Sequence, residues 1–277
     1  AKMTYQLAKV RFSKAGQVTL SNDSPAPVQL KTLQAVLDPE TAVLIINSGE
    51  PQVTTQLIHR NRVKTSRVHL TTDELKKSLD HIEEAMKNFG PMDSVLEMLS
   101  GKLLKPVQSW LGQGKHLVIV IPQEYSQLPV SALRIGSSSL IEKVTVSTAP
   151  SATLLIARLR GVRDESVTGI RALAPAQDLP FSKLEVSHIQ TQEQSDKPLF
   201  DEPLRALHLA GHIRNRGVSY FEISRDESIS TKDVLNGEQM PSLVTLSTCE
   251  GLHRDSFLSL SHAFLIKGSR SVVAHSH

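Results

Sequence analysis

The apolar run at residues 117–121 constrains the fold more than any other feature of the sequence, and Pro122 ends it. A strand with one face in water alternates apolar and polar residues, whereas this run has no polar face. Strands of that kind lie in parallel sheets that helices cover on both sides. A second apolar run at residues 42–46 ends at the turn-forming segment 47–51. We therefore expect an α/β protein.

Helix and strand signals alternate along much of the remaining chain, as they do in βαβ units. Thr71 and Glu74 form a capping-box pattern, and apolar residues then recur at helical spacing as far as Phe89. Further strands are predicted at 53–58, 63–70, 140–146, 170–174, 205–210, 243–247 and 271–274, and further helices at 94–99, 103–111, 151–159, 181–189 and 257–266. This order predicts a mostly parallel sheet.

The composition excludes several classes of function. The 277 residues carry a net charge of +3, which is too small to indicate attraction to nucleic acid or to a membrane surface. Aromatic residues make up 4% of the chain, so the stacking platforms of single-strand binders are poorly supplied. No apolar run approaches the roughly 18 residues of a membrane span, and the N-terminus lacks a secretory signal. We expect a soluble, cytoplasmic protein.

One basic cluster could still contact a partner or a nucleic acid. It consists of Arg60, Arg62, Lys64 and Arg67 on a predicted hairpin. No aromatic residue is interleaved with it, so a solvated face is the preferred interpretation.

Two chemically reactive side chains follow predicted strands: His212 follows 205–210, and Cys249 follows 243–247. Sites in open parallel sheets form at the carboxyl ends of strands. If these strands are neighbours, the imidazole and the thiol face one cleft, as a nucleophile and its base require. Gly217 and Gly251 lie close by and would let a substrate backbone approach.

Other interpretations of these residues stay open. Cys249 is the only cysteine, which excludes an intrachain disulfide, and it is alternatively a buried structural thiol. A zinc site would use His208, His212 and Cys249, but His208 is expected to pack under a helix. The carboxylates of Glu250, Asp255 and Asp226 could shape a pocket for a basic substrate side chain or could be solvated loop residues. Their sequence positions favour neither interpretation.

Two motifs closely resemble the catalytic motifs of the CHAT family, the caspase-like domains named for their association with TPR repeats. They are Leu-His-Leu-Ala-Gly-His at 207–212 and Leu-Ser-Thr-Cys-Glu-Gly at 246–251. Segments that are similar to other family elements are 121–122, 128–133, 149–151 and 263–274. The resemblance covers about residues 35–277 in family order.

The resemblance implies a fold, a caspase-like α/β/α sandwich with a mostly parallel sheet. In this arrangement an inactive N-terminal half, residues 41–165, supports a catalytic C-terminal half, residues 166–277. Residues 1–40 are then a leader or the end of an upstream region.

The resemblance also implies an activity, that of a cysteine endopeptidase. Cys249 is the implied nucleophile and His212 the implied general base and acid. The backbone N–H groups of Cys249 and of the residues around His212, Gly211 and Ile213, are the implied oxyanion donors. No metal or organic cofactor is implied. The implied partners are a protein or peptide substrate and a regulatory partner, such as a TPR array or a bacterial defence effector.

Three departures from the family pattern stand out. Ile213 occupies the position after the catalytic histidine, where the family commonly has glycine. The segment between Ile189 and Arg205 is short, and the sequence ends soon after the strand at 271–274, so we expect a fragment of a longer protein. The first two departures favour an alternative function, a catalytically inactive caspase-like scaffold that binds a protein partner. A nucleic-acid-binding regulator is a third alternative, and the composition argues against it.

Overall fold

The computed structural model describes residues 9–12, 18–21, 29–49, 52–111, 114–122, 125–161, 167–174, 179–189, 199–215, 219–224, 227–248 and 259–274. The strands are β1 (Lys9–Phe12), β2 (Val18–Ser21), β3 (Thr41–Gly49), β4 (Gln52–His59), β5 (Arg62–Thr71), β6 (His116–Val120), β7 (Arg134–Ile135), β8 (Ser138–Ser139), β9 (Thr145–Ala149), β10 (Ile170–Leu173), β11 (Ala206–Gly211), β12 (Ile213–Asn215), β13 (Ser219–Glu222), β14 (Ser228–Ser230), β15 (Leu243–Thr248) and β16 (Ser271–Ala274). The helices are α1 (Leu30–Val36), α2 (Thr72–Lys87), α3 (Asp93–Leu103), α4 (Leu140–Lys143), α5 (Ala152–Arg160), α6 (Pro180–Ile189), α7 (Thr231–Asn236) and α8 (Leu260–Lys267).

A five-stranded sheet contains both apolar runs and has the strand order β5-β4-β3-β6-β9. Strands β3, β6 and β9 are parallel, whereas β3, β4 and β5 pair in antiparallel fashion. The expectation of a mostly parallel sheet is therefore wrong here, and the sheet is mixed. The physical reason is the short links after Gly49 and His59, because a short turn joins antiparallel strands and a parallel pair needs a long crossover.

A second, four-stranded sheet has the order β10-β11-β15-β16, and all of its pairs are parallel. The central strand β11 is buried from Leu207 to Gly211, whereas β15 alternates buried residues with half-buried and exposed ones. Leu207 and Leu209 of β11 share a buried cluster with Leu260 and Phe264 of α8. The alternate β11 residue His208 faces α6 instead. Helices α8 and α6 therefore contact opposite faces of β11.

Helix α2 begins at the predicted capping box. Thr71 Oγ1 accepts a hydrogen bond from the Glu74 N–H at 3.1 Å, and Glu74 Oε2 accepts one from the Thr71 N–H at 2.8 Å. The apolar stripe of the helix, Leu75, Leu79 and Ile82, is buried in the cluster that includes the β6 residues Leu117 and Ile119. The helix thus covers one face of the five-stranded sheet.

Helix α1 lies inside the segment that the sequence analysis assigns to a leader. Its Leu33 and the following Leu37 are buried in a cluster with Val43 of β3 and Ile156 of α5. Since apolar residues four positions apart lie on one face of a helix, this short segment packs onto the sheet.

Three predictions differ from the structure. The turn predicted from residue 47 begins later, because residues 47–49 pair with residues 52–54 and extend β3 to Gly49. Residues 103–111, predicted as a helix, contain the last residue of α3 and then turns, and Pro106 supplies no N–H to continue the α3 ladder. Residues 140–146, predicted as a strand, begin with the one-turn helix α4 and end in β9. The cause is a capping box between Ser139 and Glu142, which starts a helix before the strand.

One contact joins the two larger sheets through their helices. Arg158 of α5 donates a hydrogen bond from Nη1 to the carbonyl oxygen of Gly268, directly after α8, at 2.6 Å. Gly268 has a φ of 151°, a conformation that favours glycine.

The basic cluster lies on the hairpin of β4 and β5, as predicted. Arg60, Arg62, Lys64 and Arg67 are all exposed, and Lys64 Nζ donates to Ser109 Oγ at 3.1 Å. Among the residues that the structure describes, no helix combines the length and apolar character of a membrane span.

Candidate active site

The candidate site lies at the carboxyl ends of β11 and β15. These strands pair in parallel over six residue pairs, from Ala206 opposite Leu243 to Gly211 opposite Thr248. The condition set by the sequence analysis, that the two strands be neighbours, is therefore met. His212 directly follows Gly211, and Cys249 directly follows Thr248. Cys249 itself lies outside the described residues.

His212 connects the parallel sheet to the small sheet β12-β13-β14. It is half-buried, and its carbonyl oxygen accepts a hydrogen bond from the Glu222 N–H at 3.3 Å. Strand β11 ends at Gly211, directly before His212, and β12 begins at Ile213, directly after it. The bond from Glu222 therefore holds a residue whose two neighbours already belong to strands. The position of His212 is thus set by two sheets.

Ile213 occupies the position where the family commonly has glycine. Its side chain is 4% exposed and belongs to the cluster that contains Phe221 and Phe264. It lies opposite Phe221 in the antiparallel pair of β12 and β13. Because the bond from Glu222 to His212 belongs to the adjacent hydrogen-bonded pair, Ile213 and Phe221 form a non-hydrogen-bonded pair. The N–H of Ile213 therefore points away from β13.

His208 is a core residue, as expected. It is 8% exposed, and its Nδ1 lies 2.6 Å from Thr245 Oγ1 of the neighbouring strand. Its Nε2 lies 3.0 Å from Glu185 Oε1 of α6. Nδ1 thus has a hydrogen-bonding partner, whereas Nε2 lies close to a carboxylate without the alignment of a hydrogen bond. In the described part of the chain, no group of three His, Cys, Asp or Glu side chains is arranged to hold a metal ion.

The sequence analysis missed one charged residue in this region. Glu185 lies on α6, and its Oε2 accepts a hydrogen bond from Ser247 Oγ of β15 at 3.3 Å. No motif marks this glutamate, because its role depends on where α6 crosses the sheet. The only signal in the sequence is a carboxylate on a helix that precedes the histidine strand.

The acidic residues proposed for a substrate pocket, Glu250, Asp255 and Asp226, lie outside the described residues. The same holds for the flanking glycines Gly217 and Gly251. The pocket therefore stays a prediction.

The architecture and the site define a class of protein. It is an α/β protein in which two adjacent parallel strands end side by side, one before a histidine and the other before a cysteine. The family comparison agrees with this class: residues 154–276 match the model of the CHAT domain. The match confirms the resemblance for the C-terminal part of the chain, which includes the parallel sheet, His212 and Cys249. A search of curated proteins finds no match.

The matched region begins inside α5. It leaves out the five-stranded sheet, so the resemblance of residues 35–153 to the N-terminal half of the family stays a prediction.

Proposed function

We propose that the chain is a cysteine endopeptidase of the CHAT type with a caspase-like α/β/α sandwich. The parallel ladder between β11 and β15 is the observation that carries this proposal. It places Gly211 beside Thr248, and the next residues along the two strands are the histidine and the cysteine. The family match over both motifs supports the same assignment.

In the proposed reaction His212 takes the proton of the Cys249 thiol, and the thiolate attacks the scissile carbonyl carbon. The tetrahedral oxyanion collapses, and the C–N bond breaks as His212 gives its proton to the leaving amine. A thioester between Cys249 and the acyl group remains. Water, which loses a proton to His212, then attacks this thioester and releases the acid product together with the free thiol.

Backbone N–H groups stabilise the oxyanion in this proposal. The candidates are those of Cys249, Gly211 and Ile213. The orientation of the Ile213 N–H, away from β13, supports its inclusion because the β12–β13 ladder does not use this donor.

The proposed substrate is a protein or peptide, and a pocket of Glu250, Asp255 and Asp226 would favour a basic side chain in it. By resemblance to the family, we also propose control by a regulatory partner or an attached repeat domain, of which TPR arrays and bacterial defence effectors are examples.

The single cysteine makes a direct test possible, since iodoacetamide can modify only one thiol in the chain. An ordinary thiol has a pKa near 8.5 and reacts slowly at pH 6.5, whereas a thiol beside a histidine reacts rapidly there. We expect rapid labelling of the wild type at pH 6.5, measured by mass spectrometry. His212→Ala should slow it to the rate of an ordinary thiol, and the control His81→Ala, at an exposed site on α2, should leave it unchanged.

Cleavage provides the second test. Cys249→Ala and His212→Ala should each lower hydrolysis of a mixed peptide library by at least about 10³-fold, because members of a catalytic unit act together. Circular dichroism should show that both variants stay folded. Retained cleavage by Cys249→Ala would refute the assignment.

One observation favours a second candidate, a catalytically inactive scaffold that binds a protein partner. Ile213 fills a core position where the family commonly has glycine. For such a scaffold, labelling of Cys249 at pH 6.5 is slow in the wild type and does not change with His212→Ala.

A further inference from the structure

A single carboxylate on α6 contacts both of the strands that lead to the proposed dyad. Glu185 Oε1 lies 3.0 Å from Nε2 of His208 on β11, and its Oε2 accepts a hydrogen bond from Ser247 on β15 at 3.3 Å. Helix α6 also packs on β10 and β11, so the carboxylate is held above the centre of the sheet. Glu185 thus uses its two oxygens to join two neighbouring strands.

This contact lies close to the strand ends. Ser247 lies opposite Ala210, and these two residues precede Cys249 and His212 by two positions each. Since alternate residues of a strand share a face, His208 and Ala210 face α6 together. Glu185 therefore contacts both strands within four residues of the proposed dyad.

His208 extends the contact within the sheet. Its Nδ1 lies 2.6 Å from Thr245 Oγ1, so side chains as well as the backbone ladder join β11 to β15. The contact from its Nε2 to Glu185 has the distance of an ion pair but not the alignment of a hydrogen bond. At this distance a negative carboxylate attracts an N–H group at Nε2 more strongly than a neutral amide oxygen does. His208 is 8% exposed, which restricts its ring to this orientation.

We propose that Glu185 is a positioning residue for the dyad, and that it acts through His208 and Ser247 to fix the two strand ends that carry His212 and Cys249. This role rests on the proposed function. Catalytic side chains need supporting contacts, because a displacement of about 1 Å costs as much as 10²-fold in rate.

The test again uses the single thiol. We expect Glu185→Ala to slow iodoacetamide labelling of Cys249 at pH 6.5 by about 10-fold or more, and to shift the pH profile of labelling toward that of an ordinary thiol. Glu185→Gln keeps an acceptor for Ser247 but removes the charge beside His208, so its rate should lie between those of the wild type and Glu185→Ala. Ser247→Ala should give a smaller loss than Glu185→Ala.

Two variants serve as controls: Lys183→Ala changes an exposed residue of α6, and Glu84→Ala removes an exposed carboxylate from α2. Both should label like the wild type. Amide hydrogen exchange provides a readout that does not depend on the thiol. Exchange in β11 and β15 should rise in Glu185→Ala and stay unchanged in the two controls.

The outcomes separate this role from the proposed function. If the wild type labels rapidly and Glu185→Ala labels equally fast with unchanged exchange in β11 and β15, the positioning role is wrong and the proposed function stands. If labelling of the wild type does not depend on His212, the proposed function is wrong and the positioning role falls with it. Slower labelling with faster exchange, both confined to the Glu185 and Ser247 variants, supports the role.

Discussion

His262 lies in the first turn of α8, shortly after the segment that contains Cys249. The Oγ of the helix-capping residue Ser259 accepts a hydrogen bond from the His262 N–H at 3.3 Å and lies 3.0 Å from its Nδ1. Burial lowers the pKa of the His262 imidazole below its ordinary value of 6.5. At neutral pH the folded state therefore holds this histidine in its uncharged form.

A pH dependence of stability follows from this neutral histidine. Between the lowered folded pKa and 6.5, the unfolded state binds more protons than the folded state, so the free energy of unfolding falls as the pH falls through this interval. Above pH 6.5 both states are neutral and this contribution is complete. His262→Asn cannot titrate, so it should lose less stability than the wild type between pH 7.5 and pH 5, as measured by urea unfolding.

The control for this experiment is His81→Asn, which changes an exposed histidine of α2. It should lose the same stability as the wild type over this pH range. Equal losses in the wild type and His262→Asn would contradict the prediction.

At the level of single elements, α2 depends on its first turn. The capping box joins Thr71 and Glu74 reciprocally, and it satisfies two N–H groups that lack partners inside the helix. Hydrogen bonds from the Thr71 N–H and then its hydroxyl lower the pKa of the Glu74 carboxyl. The ionised Glu74 carboxylate therefore stabilises the folded state above its ordinary pKa of 4.5. This stabilisation is lost as the pH falls through the lower pKa of the folded state.

Thr71→Ala should lower the free energy of unfolding by about 1 kcal/mol, since it removes the side-chain acceptor at the N-cap. Thermal unfolding at neutral pH measures the effect as a lower Tm. Lys76→Ala, at an exposed position of the same helix, is the matched control. A Tm for Thr71→Ala equal to that of this control would show that the cap does not stabilise the fold.

The sequence predicts elements well where local signals agree with burial. Helix α2 has a capping box and an apolar stripe, and it forms as predicted. The start of residues 140–146 carries a capping pattern too, Ser139 with Glu142, but the apolar residues after it also suit a strand. Strands β12, β13 and β14 have three or four residues each, and such short strands depend on pairing with one another rather than on a local pattern.

For the candidate site, the sequence predicts which residues follow the strands but not the register between the strands. Gly211 lies opposite Thr248 because two segments distant in the sequence pair in one register. The periodicity of each segment does not predict the register between them. Glu185 was missed for the same reason, because its contacts with His208 and Ser247 exist only after α6 packs on the sheet. Reactive residue types are thus visible in the sequence, and their supporting contacts are not.

On the scale of the whole molecule, Arg158 connects the helix α5 to the chain that follows α8. Its Nη1 donates to the Gly268 carbonyl at 2.6 Å, and burial lowers the pKa of the guanidinium from its ordinary value, although the group stays charged. The bond joins helices that pack on different sheets. It therefore helps to fix α8, which covers one face of the parallel sheet.

Arg158→Ala should lower the free energy of unfolding by about 1 kcal/mol, at the low end for a charged donor because the side chain is partly exposed. Hydrogen exchange should rise in α8 and β16, where the lost bond ends. Arg160→Ala removes an exposed arginine of the same helix and should leave exchange there unchanged. Faster exchange in α8 and β16 for both variants would mean that the loss of one positive charge from α5 causes the effect and that the bond to Gly268 does not.

The connection between β11 and β15 has a consequence for how the protein can diversify. The two strands are neighbours in space, yet the chain between them contains β12, β13, β14 and α7. Tyr220 and Glu222 are only half-buried in this inserted layer, while Phe221 between them is held in the core. Exchanging these half-buried positions therefore changes the surface of the inserted layer and leaves the six-pair ladder intact, so in the proposed peptidase the preference for a substrate can change independently of the dyad.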